Sequence, residues 1–289
     1  MNLTSPKTIQ YIKGKYGFHL SKSLGQNFLC DQHILQDIVQ AANLDSKAGA
    51  VEIGPGIGVL TKELSKAANR VLAIELDARL LPILDETLSD CDNVTVLNAD
   101  ILKLDLAETI KAHFTDFSNI SVAANLPYYI TTPILTRLLE NYTTLFNNIV
   151  IMVQKEVAER ICSAPGSKKC SALSVLVHYH SIPTLVSTVP ATAFFPPPKV
   201  ASAVVRLQLR QAPAVAPRSE QHFFKTVRAA FGQRRKTLIN ALIGASLTSM
   251  TKAELQQTIV SMGLSTSIRG EQLTIEQFCQ LSDRLLEHG

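Results

Sequence analysis

A strand, a glycine-rich turn and a helix follow one another early in the chain, and this order constrains the fold more than any other feature. Residues 50–53 predict a short strand, residues 54–58 carry three glycines, and residues 59–67 continue with helical spacing of apolar side chains. This is the opening of a nucleotide-binding βαβ unit, in which glycines let the backbone approach a ligand closely. We therefore predict an α/β chain built on a Rossmann-like sheet.

Polar side chains follow the next three predicted strands. Glu75 ends the second strand, about twenty residues past the glycines, where an acid accepts the hydroxyls of a ribose. Asp100 follows the third strand and suits an adenine amine, and the fourth strand, residues 120–124, is followed by Asn125. Because open α/β sheets bind ligands at the carboxyl ends of their strands, we expect these side chains to meet beside Gly54.

The spacing of the glycines helps to separate two kinds of ligand. The turn reads Gly-x-Gly-x-Gly, and Val59 stands where the third glycine of a dinucleotide fingerprint would be. No set of residues is suited to a hydride acceptor, which makes a dehydrogenase a distant alternative. S-adenosylmethionine needs adenine and ribose contacts but no pyrophosphate site, so the pattern favours it as the ligand.

The segment Asn125-Leu126-Pro127-Tyr128 closes the fourth predicted strand. The amide oxygen of Asn125 can accept a hydrogen bond from an exocyclic amine, Pro127 fixes the turn, and Tyr128 offers a flat face on which a base can stack. Acceptors that form hydrogen bonds with both hydrogens of such an amine favour a pyramidal nitrogen with a free lone pair. As an isolated tetrapeptide, the segment is explained equally well as a proline-containing turn with Tyr128 in the core.

Residues 194–199 combine two phenylalanines with three prolines. They predict either a stiff connector whose aromatic rings pack in the core, or a loop that places Phe194 opposite Tyr128 so that a base is clamped between two rings.

A linker rich in proline and alanine, residues 211–217, predicts a boundary between two domains. Residues 1–210 would form the Rossmann-like domain with a basic N-terminal arm that includes Lys22, and residues 211–289 a small all-helical domain. A basic cluster lies between two apolar helical stripes of the second domain. It is either a solvated face or a phosphate-binding surface, and its residues are Arg234, Arg235 and Lys236.

Composition excludes several other classes. Of the 289 residues 46% are hydrophobic and 18% charged, and the net charge of +4 is too small to indicate nucleic-acid binding by itself. The five cysteines form no C-x-x-C pair, so we expect neither a metal site nor a disulfide framework. No apolar run is long enough for a signal peptide or a membrane span. A cytoplasmic protein with reduced thiols is therefore expected. We also expect a monomer.

Taken together, these motifs resemble the small-subunit ribosomal RNA adenine N6-dimethyltransferases, the KsgA family, over nearly the whole chain. The matching segments appear in the family's order. They are Leu24-Gly25-Gln26-Asn27-Phe28-Leu29, Glu52-Ile53-Gly54-Pro55-Gly56-Ile57-Gly58, Asn125-Leu126-Pro127-Tyr128, Phe194-x-Pro196-x-Pro198-x-Val200-x-Ser202 and Gln233-Arg234-Arg235-Lys236-Thr237-Leu238.

The resemblance implies S-adenosylmethionine as methyl donor and two adjacent adenosines near the 3′ end of small-subunit rRNA as substrate, with the small ribosomal subunit as partner. Asn125, Tyr128 and Phe194 would hold the adenine, with Pro127 shaping the turn. The cofactor site would be lined by Gln26, Asn27, Leu29, Gly54, Gly56, Glu75, Asp100, Ile101 and Asn125.

Two positions depart from the family pattern, and two rival functions stay open. Ala201 stands where bacterial members usually have an acid, and Gly232 where Asn is common, so both put details of RNA contact in doubt. The related enzymes that methylate a large-subunit rRNA adenosine share the Asn-Leu-Pro-Tyr type of motif. The other rival is a non-catalytic assembly factor that only binds the subunit, against which the intact cofactor and adenine motifs argue.

Overall fold

The computed structural model describes residues 1–18, 26–233 and 235–287. The chain divides into two compact units, Met1–Ala158 with Pro183–Leu209, and Glu159–Ile182 with Arg210–Gly289. The sequence predicted a single boundary after residue 210, whereas the structure also places residues 159–182 in the second unit. The reason is an aromatic cluster within that unit, in which the ring of Tyr179 lies 5.1 Å from Phe223 and 5.0 Å from Phe224.

Strands and helices alternate through the first unit. The described strands are β1 (Phe28–Leu29), β2 (Gly49–Ile53), β3 (Arg70–Glu75), β4 (Val94–Asn98), β5 (Ile120–Asn125), β6 (Asn148–Gln154), β7 (Ser181–Val189), β8 (Phe194–Phe195) and β9 (Ser202–Leu209).

The described helices are α1 (Pro6–Tyr16), α2 (Gln32–Ala41), α3 (Val59–Ala67), α4 (Leu81–Thr87), α5 (Leu106–His113), α6 (Thr131–Asn141), α7 (Lys155–Cys162), α8 (Ala172–His180), α9 (Glu220–Gly232), α10 (Leu238–Gly244), α11 (Lys252–Ser261) and α12 (Ile275–Leu286). Among them, none combines the length and the apolar character that crossing a membrane requires.

Seven of the described strands form one sheet in the order β4-β3-β2-β5-β6-β9-β7. The neighbours from β4 to β6 pair in parallel, and β9 pairs with β6 antiparallel. The chain therefore moves from β2 outward to β3 and β4, then crosses to the other side of β2 for β5. This is a doubly wound, Rossmann-like arrangement, as the sequence predicted, and its direction reverses between β2 and β5.

Most of the described part of the lysine-rich N-terminal segment forms the helix α1. Ile9 and Ile12 of α1 are buried in the core of the first unit, which holds this helix against the rest of that unit. Lys15 forms an ion pair with Glu86 at 2.7 Å, and the Tyr16 hydroxyl also bonds to Glu86. The bonds to Glu86 show that part of the positive charge of α1 is matched within the protein.

The second unit is helical, as expected for the C-terminal part of the chain. Thr251 and Glu254 form a reciprocal capping box at the start of α11, and Thr274 and Gln277 form another at the start of α12. In each box, the hydroxyl and the Glu or Gln side chain three residues later satisfy two exposed backbone donors at the start of the helix.

An unusual residue lies in the central strand β2. Glu52 has only 1% of its surface exposed, and its Oε2 has no hydrogen-bond partner among the described residues. Because burial penalises the charged form, it raises the pKa of this carboxyl from 4.5 to about 8. The folded chain therefore holds a proton on Glu52 at neutral pH.

This buried proton predicts how stability depends on pH. Between about pH 5 and pH 8 the folded state retains the proton that the unfolded state has released, so the free energy of unfolding should fall as pH rises. The full effect of one proton is about 1.4 kcal/mol per pH unit. Glu52→Gln, which cannot ionise, should flatten this slope, as measured by urea unfolding across the same pH range.

The exposed acid Glu108 on α5 provides the matched control. Glu108→Gln should unfold with the wild-type pH dependence. Equal slopes for the wild type and Glu52→Gln would show that Glu52 is ionised in the folded protein at neutral pH.

Candidate active site

A cavity opens at the carboxyl ends of the parallel strands of the first unit. It contains all nine residues predicted to bind the cofactor, one of which, Asn125, was also predicted to act on the base, together with two further residues predicted to act on the base. These lining residues are Gln26, Asn27, Leu29, Gly54, Gly56, Glu75, Asp100, Ile101, Asn125, Pro127 and Tyr128. The strand-end positions that the sequence identified are thus brought together in space.

The glycine turn after β2 forms one wall of the cavity. Gly54 and Gly56 have φ angles of 72° and 61°, a conformation that residues with a Cβ rarely adopt. A Cβ on Gly56 would also approach the ring of Phe28 to 3.0 Å. The turn therefore requires glycine at these positions, and it exposes bare backbone to the cavity.

Glu75, the last residue of β3, is held by backbone donors on two sides. Its Oε1 accepts from the Asp77 N–H at 2.7 Å, and its Oε2 accepts from the Gly56 N–H at 3.3 Å. Burial raises the pKa of this carboxyl, and the two N–H donors oppose that shift. The result is a carboxyl of fixed position, 6% exposed, on the cavity wall.

Asp77 extends this arrangement to the loop that precedes β1. Its Oδ2 accepts from Gln26 Nε2 at 3.0 Å and pairs with Arg79 at 2.7 Å. The hydrogen bonds from Arg79 hold the pKa of Asp77 below its usual range. Asp77 therefore links Gln26 with Glu75, since its side chain accepts from Gln26 and its N–H donates to Glu75.

Asp100 and Ile101 follow β4 on the same side of the sheet. Asp100 Oδ1 accepts from the Leu102 N–H at 2.9 Å, while Oδ2 lies 3.8 Å from Lys103. The side chain of Asp100 keeps 27% of its surface exposed, so its carboxylate can still receive a donor from a ligand. Ile101 is buried and adds an apolar surface.

Asn125 is the last residue of β5, and its amide is oriented by the loop opposite. Its Nδ2 donates to the carbonyl of Asn27 at 3.2 Å, which leaves Oδ1 as the acceptor of the amide. The next residue, Leu126, bonds to the Met152 carbonyl at 3.3 Å, and the Pro127 carbonyl accepts from Ile130 at 3.2 Å. The turn is therefore tied down on both sides of Pro127.

The remaining predicted residues lie elsewhere or outside the described chain. Phe194 is 4% exposed, packs in the core and pairs in register with Leu29, so the structure places it behind the cavity wall rather than on its surface. Arg235 and Lys236 are exposed in the turn between α9 and α10. Lys22 and Arg234 lie outside the described residues.

Sequence reasoning missed two acids near the cavity. Glu52 lines it from within β2, and Asp77 orients Gln26. The signal for Glu52 was an acid inside an apolar strand directly before the glycine turn, while Asp77 stands two residues after Glu75. Within the described ranges, His, Cys, Asp and Glu side chains form no group that could hold a metal ion.

Curated proteins are similar to this chain over almost its full length. A curated relative from Bacillus pumilus (strain SAFR-032), named ribosomal RNA small subunit methyltransferase A, is 46% identical over 285 residues, 98% of this chain and 97% of the relative. The protein of the same name from Bacillus licheniformis is 46% identical over 287 residues, 99% of this chain and 98% of the relative.

Two solved structures are also similar. A dimethyladenosine transferase from Plasmodium falciparum has a TM-score of 0.72 and 26% identity, covering 90% of this chain and 96% of that one. The 23S rRNA methyltransferase ErmE has a TM-score of 0.68 and 26% identity, covering 89% of this chain and 99% of that one.

The family model described as ribosomal RNA adenine dimethylase matches residues 17–287, which include nearly all of both compact units and every described residue of the cavity. On this match and on the full-length relatives, the chain belongs to the ribosomal RNA adenine dimethylase family.

Proposed function

We propose that this chain transfers methyl groups from S-adenosylmethionine to the N6 amines of two adjacent adenosines near the 3′ end of 16S rRNA, during assembly of the small ribosomal subunit. The observation that carries the proposal is the cavity in which the Asn125–Tyr128 turn meets Glu75 and Asp100. Membership of the rRNA adenine dimethylase family supports the reaction, and the 46% identical relatives support the small subunit as its target.

The charges of the cavity fit S-adenosylmethionine better than a dinucleotide. The described lining residues include the carboxyl groups of Glu75 and Asp100, besides the protonated Glu52, and no Lys, Arg or His. Such a lining attracts a cation and disfavours a pyrophosphate. When bound, S-adenosylmethionine supplies an electrophilic methyl group on a positively charged sulfur, so its charge matches this site.

Individual residues would hold the cofactor by ordinary polar contacts. Glu75 would accept the ribose hydroxyls, because its carboxyl is fixed at the end of β3. Asp100 would accept the adenine amine, with Ile101 against the adenine ring. Gly54 and Gly56 would let the methionyl part approach the backbone, and Gln26, Asn27 and Leu29 would close the cavity from the opposite loop.

The reacting amine would be held by two acceptors of the turn after β5. Asn125 Oδ1 is one of them, because Nδ2 of the same amide is used by Asn27. The Pro127 carbonyl already accepts from Ile130 and from the Thr131 hydroxyl, so the Leu126 carbonyl would be the second. Two acceptors favour a pyramidal nitrogen, whose lone pair can then attack.

Orientation and exclusion of water account for the rest of the reaction, since the donor is already a good electrophile. Tyr128 would stack on an adenine that has left its own stack, so the target adenosine is single-stranded or in a loop. The predicted clamp between Tyr128 and Phe194 would require Phe194 to leave the core, and Tyr128 is therefore assigned the stacking face.

The rival functions can be weighed against the same findings. The large-subunit alternative is represented by a structure that is 26% identical, whereas the full-length relatives at 46% identity carry a small-subunit name. A non-catalytic assembly factor would not need the buried acids and the oriented amide of the cavity. We further propose that the chain acts as a monomer in the cytoplasm, where ribosomal subunits are assembled.

The overall test is methyl transfer from labelled S-adenosylmethionine to small subunits that lack these methyl groups, followed by identification of the modified nucleosides. Label in N6,N6-dimethyladenosine of 16S rRNA is expected. Label in 23S rRNA alone would favour the large-subunit alternative, and binding without transfer would favour the assembly factor.

Glu75→Ala should weaken the binding of S-adenosylmethionine by roughly 1–3 kcal/mol, the scale of a hydrogen bond to a charged group. Calorimetric titration measures this without RNA. Glu156→Ala, which removes an exposed acid on α7, is the matched control and should bind normally. Unchanged affinity in Glu75→Ala would remove this residue from the site.

Asn125→Ala should act mainly on the chemical step, because an acceptor of the amine matters most as the nitrogen becomes pyramidal. The single-turnover rate with saturating S-adenosylmethionine and small subunits should fall about 10- to 100-fold, equivalent to the loss of one hydrogen bond to a developing charge. Asn141→Ala, an exposed amide at the end of α6, should react at the wild-type rate. An equally fast Asn125→Ala would refute the assignment.

Arg235 and Lys236 are exposed and should contact RNA phosphates. Replacing both with Ala should weaken RNA binding and lower the slope of log K against log salt concentration by about 1 for each phosphate that is no longer neutralised. The affinity for S-adenosylmethionine should not change. The double variant Lys47→Ala/Lys111→Ala removes two exposed lysines of the first unit and is the control. If the Arg235/Lys236 variant had the salt dependence of the wild type, these two residues would be solvent-exposed without contacting RNA.

A further inference from the structure

The hydroxyl of Tyr128 contacts Ser202, a residue that has no role in the proposed reaction. The hydroxyl of Tyr128 lies 2.9 Å from Oγ of Ser202, a hydrogen-bonding distance. Ser202 is the first residue of β9 and has 0% of its surface exposed. The half-buried aromatic side chain thus bridges the cavity and a fully buried hydroxyl.

Sheet topology explains how this contact arises. β6 lies between β5 and β9, with Asn125 opposite Met152 on one side and Ser202 opposite Gln154 on the other. Tyr128 therefore reaches over the carboxyl end of β6 to the start of β9. Because the backbone of Ser202 is fixed by its strand pairing, its hydroxyl is a fixed point for the phenol.

The backbone of the turn alone does not fix the ring. Hydrogen bonds at Leu126 and Pro127 hold the main chain on the N-terminal side of Tyr128, yet two side-chain torsions still decide where the ring faces. A hydrogen bond at the phenol oxygen, the atom farthest from the backbone, fixes the first torsion. Because a phenol donates and accepts near the plane of its ring, the same bond favours ring planes that contain Ser202 Oγ, which restricts the second torsion. The adjacent Tyr129 also lines the cavity but is 58% exposed, so its environment confines it far less.

The dependence is mutual. A hydroxyl as deeply buried as that of Ser202 needs a hydrogen-bond partner, since leaving it unpaired costs its full desolvation. Turning the Tyr128 ring away would leave Ser202 without this bond. The geometry therefore favours one ring orientation over its alternatives.

We propose that Ser202 is a positioning residue for the target adenine. It fixes the ring of Tyr128 at the angle that presents the stacked base to Asn125. This inference rests on the proposed function, because it assumes that Tyr128 stacks on the base. Loss of the Ser202 hydroxyl would leave the stacking face in place but less ordered, and would slow methyl transfer without affecting cofactor binding.

Single-turnover methyl transfer to unmethylated small subunits, with saturating S-adenosylmethionine and protein, tests this role in Ser202→Ala, Tyr128→Phe and the double variant. Each single variant should slow the reaction about 3- to 10-fold, the scale of one neutral hydrogen bond. The double variant should be no slower than either single one, because both remove the same bond. In a titration of the protein against the subunits, the protein concentration that half-saturates the rate should be unchanged, since phosphate contacts dominate RNA affinity.

Ser121→Ala is the matched control. Ser121 is likewise 0% exposed on a strand of the same sheet, and its Oγ bonds to the Ala42 carbonyl at 2.8 Å, away from Tyr128. It should lower the thermal unfolding temperature as much as Ser202→Ala does, yet react at the wild-type rate. If Ser121→Ala also reacted slowly, the slower reaction of Ser202→Ala would be explained by general destabilisation, and the proposal would be overturned.

The ring itself provides an independent readout. In protein labelled on the tyrosine rings, the NMR signal of Tyr128, assigned with Tyr128→Phe, should change in Ser202→Ala and stay as in the wild type in Ser121→Ala. A wild-type rate in Ser202→Ala, or additive effects in the double variant, would refute the role of Ser202 while leaving the proposed function intact. A wild type that transfers no methyl group would instead refute the proposed function and the base-positioning role together.

Discussion

The parallel pairing of β2 with both β3 and β5 is the constraint on which the site depends. The chain passes from β2 to β3 on one side and crosses back to β5 on the other, so the loops that leave these strands run in opposite directions. A crevice results at the carboxyl end of β2. Gly54, Glu75 and Asn125 all stand where these strands end, and any other position for β5 would separate Asn125 from the glycine turn.

Most of this crevice could be predicted because its signals are local. Each parallel strand is a short apolar run, and each is ended by residues that would be costly to bury, such as Glu75 and Asn125. The observed bounds differ from the predicted ones by only a few residues. Asn125, for example, is the last residue of β5 rather than the first one after it. Predicting the last residue of each parallel strand was therefore nearly the same as predicting which residues line the cavity.

The features that escaped prediction depend on contacts between distant segments. The sequence around Phe194 fits a base-stacking role and a core position equally well. Only the pairing of Phe194 with Leu29 in the structure shows that it lies in the core. Likewise, α8 follows the sheet segments in sequence, but Tyr179 packs on Phe223 and Phe224, so it belongs to the second unit. Such pairings are set by tertiary packing, which periodicity in one segment cannot show.

The buried acids of the cavity affect both the stability of the folded protein and the release of the spent cofactor. Burial raises the pKa of Glu52 and of Glu75, and the charge of Glu75 raises that of Glu52 further. These groups therefore lower the stability of the ligand-free protein at neutral and higher pH. A cationic ligand would offset that cost, and the proposed methyl donor loses one positive charge when its methyl group leaves. The carboxylates of Glu75 and Asp100 then attract the neutral product less than the cationic donor, which favours exchange of one for the other. Since two methyl groups must be placed on each adenosine, a cavity that releases its spent cofactor readily suits repeated use of one site.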